Sequence, residues 1–295
     1  MSEAVDIKSE IRDWWAGAPM TYGERHGGTE YIRPDGSIEL VELGSRRFFE
    51  IADERFYGWN RPLHGARPFE KIFDYERYSG RPVLEIGCGM GCMAMNWAQA
   101  GAQITAVDLN PVAVAQTTRR FEVFGLNGTI RQVDAETVPF ADASFDYAYS
   151  WGVLHHTPGT AVGLQQMRRV LKPGGEIGVM LYHRHSLLYR YTVAFIEGWL
   201  NDERDVLSER ELASRYGDGA REEGNPHTWP VTIPEVEELF SGFENLSVRI
   251  LGTDVPDILN VLGPNLAGRL GERRKASLAR RYGWSLWITA RKGHG

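Results

Sequence analysis

The sequence predicts an α/β fold: a seven-stranded sheet, mostly parallel with an antiparallel C-terminal hairpin, helices on both faces, an N-terminal helical cap and helical insertions. Three observations carry this. From Pro82 onward, short β-branched or apolar runs alternate with helical patterns, the texture of a parallel sheet with crossover helices. One of these runs leads directly into a Gly-rich turn and a helix, Val83-Leu-Glu-Ile-Gly-Cys-Gly-Met-Gly91. The last two runs lack a full crossover helix on the regular pattern, which suggests a hairpin closing the sheet edge.

In chain order, residues 1–80 read as helices separated by a Gly-rich loop, the helical cap. Ile7, Ile11, Trp14 and Trp15 recur at helical spacing, as do Phe48, Phe49, Ala52 and Phe56, and then Phe69, Ile72, Phe73 and Glu76. The remaining domain, 81–295, starts with strand Val83–Ile86, helix 90–100, strand Gln103–Val107 and helix 111–124. Strand Thr129–Val133 and a polar loop follow, then strand Phe145–Tyr149, helix 160–171 and strand Glu176–Leu181. An insertion at about 185–230 reads as one long helical stretch to about 215 and a loop, Gly224-Asn-Pro-His-Thr-Trp229. A helix from Pro234 to Phe240 precedes strand Asn245–Ile250; a second insertion, 254–282, precedes strand Trp284–Thr289.

Composition bounds the function. Against 33 Lys plus Arg stand 39 Asp plus Glu, a net charge of −6, so partners made of phosphate backbone or anionic membrane are disfavoured. The two cysteines, Cys88 and Cys92, cannot build a disulfide framework and read as small packing residues. No basic region followed by an apolar stretch opens the chain, and no run is long and apolar enough to span a bilayer. A cytoplasmic protein without a membrane partner is the resulting expectation.

The turn is the strongest motif. Its glycines let the backbone turn sharply and approach a ligand at a helix N-terminus. In the dinucleotide pattern Gly-x-Gly-x-x-Gly the third glycine would stand at position 92, which is Cys92; here Gly91 comes one residue early. With Glu85 on the strand, the segment resembles motif I of class I S-adenosylmethionine-dependent methyltransferases. Asp108, at the end of the second strand and seventeen residues after Gly91, stands where an acidic residue would accept the ribose hydroxyls. Val133-Asp-Ala-Glu-Thr-Val-Pro-Phe140 resembles the family's adenine corner, Ser144-Phe-Asp-Tyr-Ala-Tyr-Ser-Trp-Gly-Val-Leu-His-His156 its motif III, and Leu171-Lys-Pro-Gly-Gly175 the turn before the fifth strand. The resemblance covers 81–181, and 230–292 by topology.

The resemblance implies a Rossmann-like sheet and S-adenosylmethionine as cofactor; no metal-ligating residue is singled out, and a metal requirement stays open. Cofactor contacts then fall on Tyr22, Glu85, Gly87, Cys88, Gly89, Asp108, Leu109, Asp134, Ala135, Glu136, Ser150 and Trp151. Asp134 would accept from the adenine amino group and the Ala135 amide would meet a ring nitrogen. Glu85 either bonds loop amides or meets the cofactor's amino group, and Asp146 reads as a structural residue bonding backbone.

Methyl transfer from a sulfonium needs proximity and alignment, with a base only where the nucleophile arrives protonated. Histidine suits that proton removal near neutral pH, and His155, His156 and His183 follow strands four and five. Tyr182, His185, His26, His227 and Trp229 are the candidates to line the acceptor site. The Asn/Asp-Pro-Pro-aromatic motif of enzymes acting on nucleobase or amide nitrogens is missing, and no Pro-Cys nucleophile exists. The acceptor is therefore expected to be a small molecule or peptide, in a biosynthetic, natural-product setting. Two other readings stay open: an RNA or protein methyltransferase using the basic segment Arg269 to Arg281, and a non-catalytic methyltransferase-like module. Oligomeric state is open, a homodimer included.

Overall fold

The computed structural model describes residues 2–17, 30–33, 35–217 and 224–294. Helix α1 (Ser2–Gly17) is followed by a hairpin of β1 (Glu30–Ile32) and β2 (Ile38–Leu40) and by helix α2 (Arg46–Trp59). Then come β3 (Pro82–Ile86), α3 (Cys92–Gln99), β4 (Gln103–Asp108), α4 (Pro111–Phe124), β5 (Thr129–Gln132), β6 (Phe145–Trp151), α5 (Thr160–Val170) and β7 (Leu171–Tyr182). A wide, π-type helix (Leu188–Leu200), α6 (Glu209–Tyr216) and α7 (Ile233–Leu239) lead to β8 (Glu244–Leu251). Helices α8 (Val255–Leu262), α9 (Leu266–Arg269) and α10 (Glu272–Tyr282) separate it from β9 (Ser285–Arg291).

The main sheet has seven strands in the order β5-β4-β3-β6-β7-β9-β8. β3 pairs with β4, and β4 with β5, in parallel; β9 lies antiparallel to both β7 and β8, so the two late strands do form the closing hairpin. Val83, Leu84 and Ile86 are all buried, as befits an apolar run covered on both faces. Edge strand β8 instead alternates exposed and half-buried positions.

The chain divides into two units. The N-terminal unit, Arg12–Tyr149 with Val170–Lys172, holds the start of the sheet and the Gly-rich turn. An aromatic cluster of Phe73, Tyr75, Tyr78, Trp97, Tyr147 and Tyr149 fills its centre. Asp53 of α2 holds Arg120 of α4 through two 2.8 Å contacts, and the guanidinium also covers the Phe49 ring. A buried charge so paired loses several kcal/mol if one partner goes, roughly 3–5. The C-terminal unit comprises residues 1–11, Ser150–Arg169 and Pro173–Gly295. In it Tyr189 and Val193 pack with Leu212, Ala213 and Trp284, and Val255, Leu259 and Ala267 form a second cluster.

Several expectations need correction. Phe69, Ile72 and Phe73 do not lie on a helix: Phe69 follows Pro68 and takes a left-handed φ of 59°, so the chain turns there. Their spacing reflects the burial of Phe69 and Phe73 in the core. The stretch to 215 is not one helix, because Asp202 takes φ 56° and Ser208 opens α6 afresh with a capping box to Glu211. Leu171 to Gly175 is no separate turn but the first part of β7, with Gly174 at φ 73°. Asp146 accepts from the Lys172 ammonium at 2.6 Å rather than from backbone.

Candidate active site

In the N-terminal unit the end of β3 places the turn against β4: the amides of Gly87 and Cys88 both bond the Val107 carbonyl, at 2.7 and 3.0 Å. Gly91 has φ 74°, and a Cβ there would stand 2.9 Å from Thr117 Cγ2 and 3.3 Å from Arg120 Cδ. No other residue fits without moving α4. Thr117 also donates to the Gly89 carbonyl at 2.9 Å, locking the turn from behind. Asp108 completes it: Oδ2 accepts from the Gly89 amide and Oδ1 from the Asn110 amide, each at 2.9 Å. Burial raises the Asp108 carboxyl above its ordinary range, and the Asn110 and Gly89 amides partly offset this. Asp134 is held by the Glu136 amide at 2.9 Å, and the Leu109 carbonyl by Gln132 Nε2 at 3.0 Å; Ala135 and Glu136 are half-buried beside them.

These residues fit S-adenosylmethionine. Each oxygen of Asp108 keeps a second lone pair after its amide bond, so a vicinal diol can still be accepted. Glu85 is buried and its Oε2 has no hydrogen-bond partner. Burial is the main cause of its upward shift; the Tyr149 hydroxyl and the Ala94 amide temper it, although that hydroxyl lies outside hydrogen-bond geometry. An orphaned buried carboxyl oxygen beside this turn suits an ammonium group. Cys88 is buried with its thiol pushed upward by burial, a packing residue beside Thr117. Cys92 lies buried 3.4 Å from Arg120 Nη2. Ser150, in the C-terminal unit, is fully buried with an unpartnered hydroxyl, and Trp151 meets Trp287 at 5.6 Å.

The C-terminal unit gathers the histidines. His155 is fully buried, its ring 3.7 Å from that of Tyr182, and neither ring nitrogen has a hydrogen-bond partner. Burial, with smaller contributions from His156 and His227, pushes it far below the ordinary histidine range, so it stays neutral. Tyr182 in turn stacks on Trp284 at 4.4 Å. His183 gives Nδ1–H to the Gly283 carbonyl at 3.1 Å, which anchors the start of β9, and burial lowers its pKa. His185 is exposed.

His156 is held differently. Its Nδ1 lies 3.0 Å from the His227 carbonyl and 3.0 Å from Thr228 Oγ1. The Thr228 hydroxyl donates to Asn225 Oδ1 at 2.7 Å, and the His227 amide donates to that same oxygen at 3.0 Å, which fixes the Asn225 orientation. Both neighbours of Nδ1 must therefore accept. Nδ1 carries the proton, and Nε2 is left as the basic nitrogen. Asn225 and Thr228, which hold this ring, were missed in the sequence; they stand 69 and 72 positions from His156, and only the Asn-Pro turn hinted at them.

His227 is half-buried and pushed down to about 4, by burial first and then by Arg210 and His156. Trp229 gives its amide to the His155 carbonyl at 2.9 Å, and its ring lies under Arg184 at 4.2 Å and Arg210 at 4.7 Å. Tyr22 and His26 lie outside the described residues. Among the described residues no group of three His, Cys, Asp or Glu side chains is arranged to hold a metal.

A methyltransferase-domain family model matches residues 83–175. The chain is 30% identical over 159 residues to a ubiquinone biosynthesis O-methyltransferase of Pseudomonas fluorescens, covering 50% of this chain and 67% of that one. It is 31% identical over 168 residues to sterol 24-C-methyltransferase ERG6B of Gibberella zeae, covering 51% of this chain and only 44% of that enzyme. The solved [4+2]-cyclase SpnF shares the fold at 18% identity and a TM-score of 0.51, with 99% of this chain and 95% of that one covered. Turn, acidic strand ends and sheet order define the class, and this chain belongs to the class I S-adenosylmethionine-dependent methyltransferases. Membership of this class makes S-adenosylmethionine its cofactor.

Proposed function

We propose that the chain transfers the methyl group of S-adenosylmethionine to an oxygen, nitrogen or carbon nucleophile of a small molecule or peptide, within a biosynthetic, natural-product pathway, and that His156 is the base. The relatives, named for ubiquinone biosynthesis and for sterols, support a small-molecule acceptor. The observation that carries the reading is the chain Asn225–Thr228–His156, which holds one tautomer of one histidine.

Bound cofactor supplies a methyl group already activated on a sulfonium. Asp108 would hold the ribose, Asp134 the adenine edge and Glu85 the ammonium, with the turn amides around Gly87 and Gly89 close to the ligand. His156 Nε2 takes the proton that an O–H or N–H acceptor loses, and the charge gained on the ring is shared with the His227 carbonyl and Thr228 through Nδ1–H. His155 and Tyr182 supply a neutral aromatic wall beside that ring, and Trp229 with Arg184 and Arg210 forms the polar rim.

The test is a mass-shift screen: the protein is incubated with metabolite extract and methyl-labelled S-adenosylmethionine. The reading expects a metabolite heavier by one labelled methyl group, absent with His156→Ala although that variant still binds cofactor. Labelled product at the wild-type rate from His156→Ala overturns the assignment of the base.

A further inference from the structure

The C-terminal unit carries an exposed apolar surface on residues to which no role in methyl transfer has been given. The π-type helix turns Tyr189 and Val193 inward, yet leaves Phe195, Trp199 and Leu200 exposed at 44%, 50% and 57%. Tyr191, Phe195 and Trp199 follow at four-residue intervals with rings stacked nearly parallel, centroids 6.0 and 5.3 Å apart. This is an ordered aromatic ridge. Val206, in the turn after the helix, is 80% exposed.

Leu187, just before that helix, packs on the α8–α9 cluster of Val255, Leu259 and Ala267, so the start of the helix adjoins the second insertion. There α8 leaves Val261 and Leu262 exposed. Helix α10 adds charge: Lys275, Leu278, Ala279 and Tyr282 are its half-buried positions, whereas Arg273, Arg274, Arg280 and Arg281 are exposed. Lys275 is neutralised by Glu272, but those four arginines have no carboxylate partner among the described residues. On a chain of net charge −6 this is a local positive field on α10.

We propose that this face docks on the surface of an anionic lipid bilayer. Ridge and aliphatic residues enter the headgroup–acyl boundary while the four arginines pair with headgroup phosphates, a division typical of interfacial amphipathic elements. The expectation of no membrane partner rests on the net charge of −6 as well as on the lack of a spanning run, and the proposal departs from it on the local charge of α10. No helix among the described residues is long and apolar enough to cross, and docking does not need one. Single-stranded RNA fits less well, since the ridge rings cover one another's faces and Leu200, Val206, Val261 and Leu262 offer a nucleotide nothing. A second copy of the chain would set arginine against arginine across a two-fold axis.

The test is co-sedimentation of the full chain with vesicles of phosphatidylcholine alone and of phosphatidylcholine with phosphatidylglycerol. Binding only to the anionic vesicles is expected, weakened by salt as Debye screening requires. Replacing Arg273, Arg274, Arg280 and Arg281 by Gln should weaken binding about fivefold per arginine, at about 1 kcal/mol each. Phe195→Ser with Trp199→Ser should release the protein even at low salt. Unchanged melting and unchanged S-adenosylmethionine affinity in both variants show that they fold, and keep this test separate from that of methyl transfer. Equal binding to neutral vesicles, no binding at all, or binding that survives loss of the ridge overturns the proposal. So does an RNA gel shift, or a dimer in light scattering, that depends on these residues while vesicles do not bind.

Discussion

The Gly-rich turn and the histidine cluster solve one problem by different means. At the turn each acidic group is held by backbone amides a few residues to some nineteen residues away, Asp108 by Gly89 and Asn110, Asp134 by Glu136. At the cluster His156 is held by a carbonyl and a hydroxyl 71 and 72 residues away. Local amides build a shape that any chain with this spacing can repeat, suited to a cofactor that does not vary. Long-range side-chain contacts can be changed one at a time, which suits a site whose acceptor differs between relatives. Cofactor binding should therefore respond to changes in the first region, and turnover to changes in the second.

The largest effect is expected for His156→Ala: turnover should fall by roughly 10²–10⁴, the usual worth of a general base. Cofactor affinity, read by calorimetry, should stay within about twofold, since no charge or bond at the turn is lost. Asp108→Ala should weaken S-adenosylmethionine binding by about a hundredfold, because charge-assisted bonds to ribose and turn vanish together. Thr228→Val keeps shape but removes one acceptor of Nδ1–H; a drop in turnover of about tenfold is expected, with cofactor affinity unmoved. Unchanged turnover would show that Thr228 only packs.

The smallest effects concern stability. His227, ordinarily 6.5 and pushed down to about 4, favours the folded state above 6.5, and that contribution is lost as pH falls through about 4. Asp254 runs the opposite way. It accepts from the Trp284 amide at 3.0 Å, its Oδ2 is unpartnered, and burial pushes it up to about 6. Its contribution is present below the ordinary value of 3.8 and lost as pH rises through about 6. Asp254→Asn keeps an acceptor for Trp284 and should stabilise the fold near neutral pH by up to about 2–3 kcal/mol, at 1.36 kcal/mol per unit, with little effect in acid. Melting curves across the pH range check both signs.

The same contrast explains what could be read from the chain. Strands β3 to β9 each show as a short local run, apolar or alternating, and the turn, Asp108 and Asp134 are contiguous motifs, so order and class were legible. The Glu30–Leu40 hairpin was not: its strands have three residues each, too few to show an alternation. Phe69 and Phe73 looked helical because core burial and helical spacing coincide there. Asp53 and Arg120, 67 residues apart, and the Asn225–Thr228–His156 chain exist only once the fold has formed. His155 and His156 are equals in sequence; burial without partners separates one from the other.

The central claim is that cofactor holding and proton removal rest on separate regions. Calorimetric titration of S-adenosylmethionine into Asp108→Ala and His156→Ala, side by side with the unaltered chain, tests it most directly and needs no knowledge of the acceptor. The account expects affinity to collapse in the first variant and to stay within about twofold in the second; equal losses in both would contradict it.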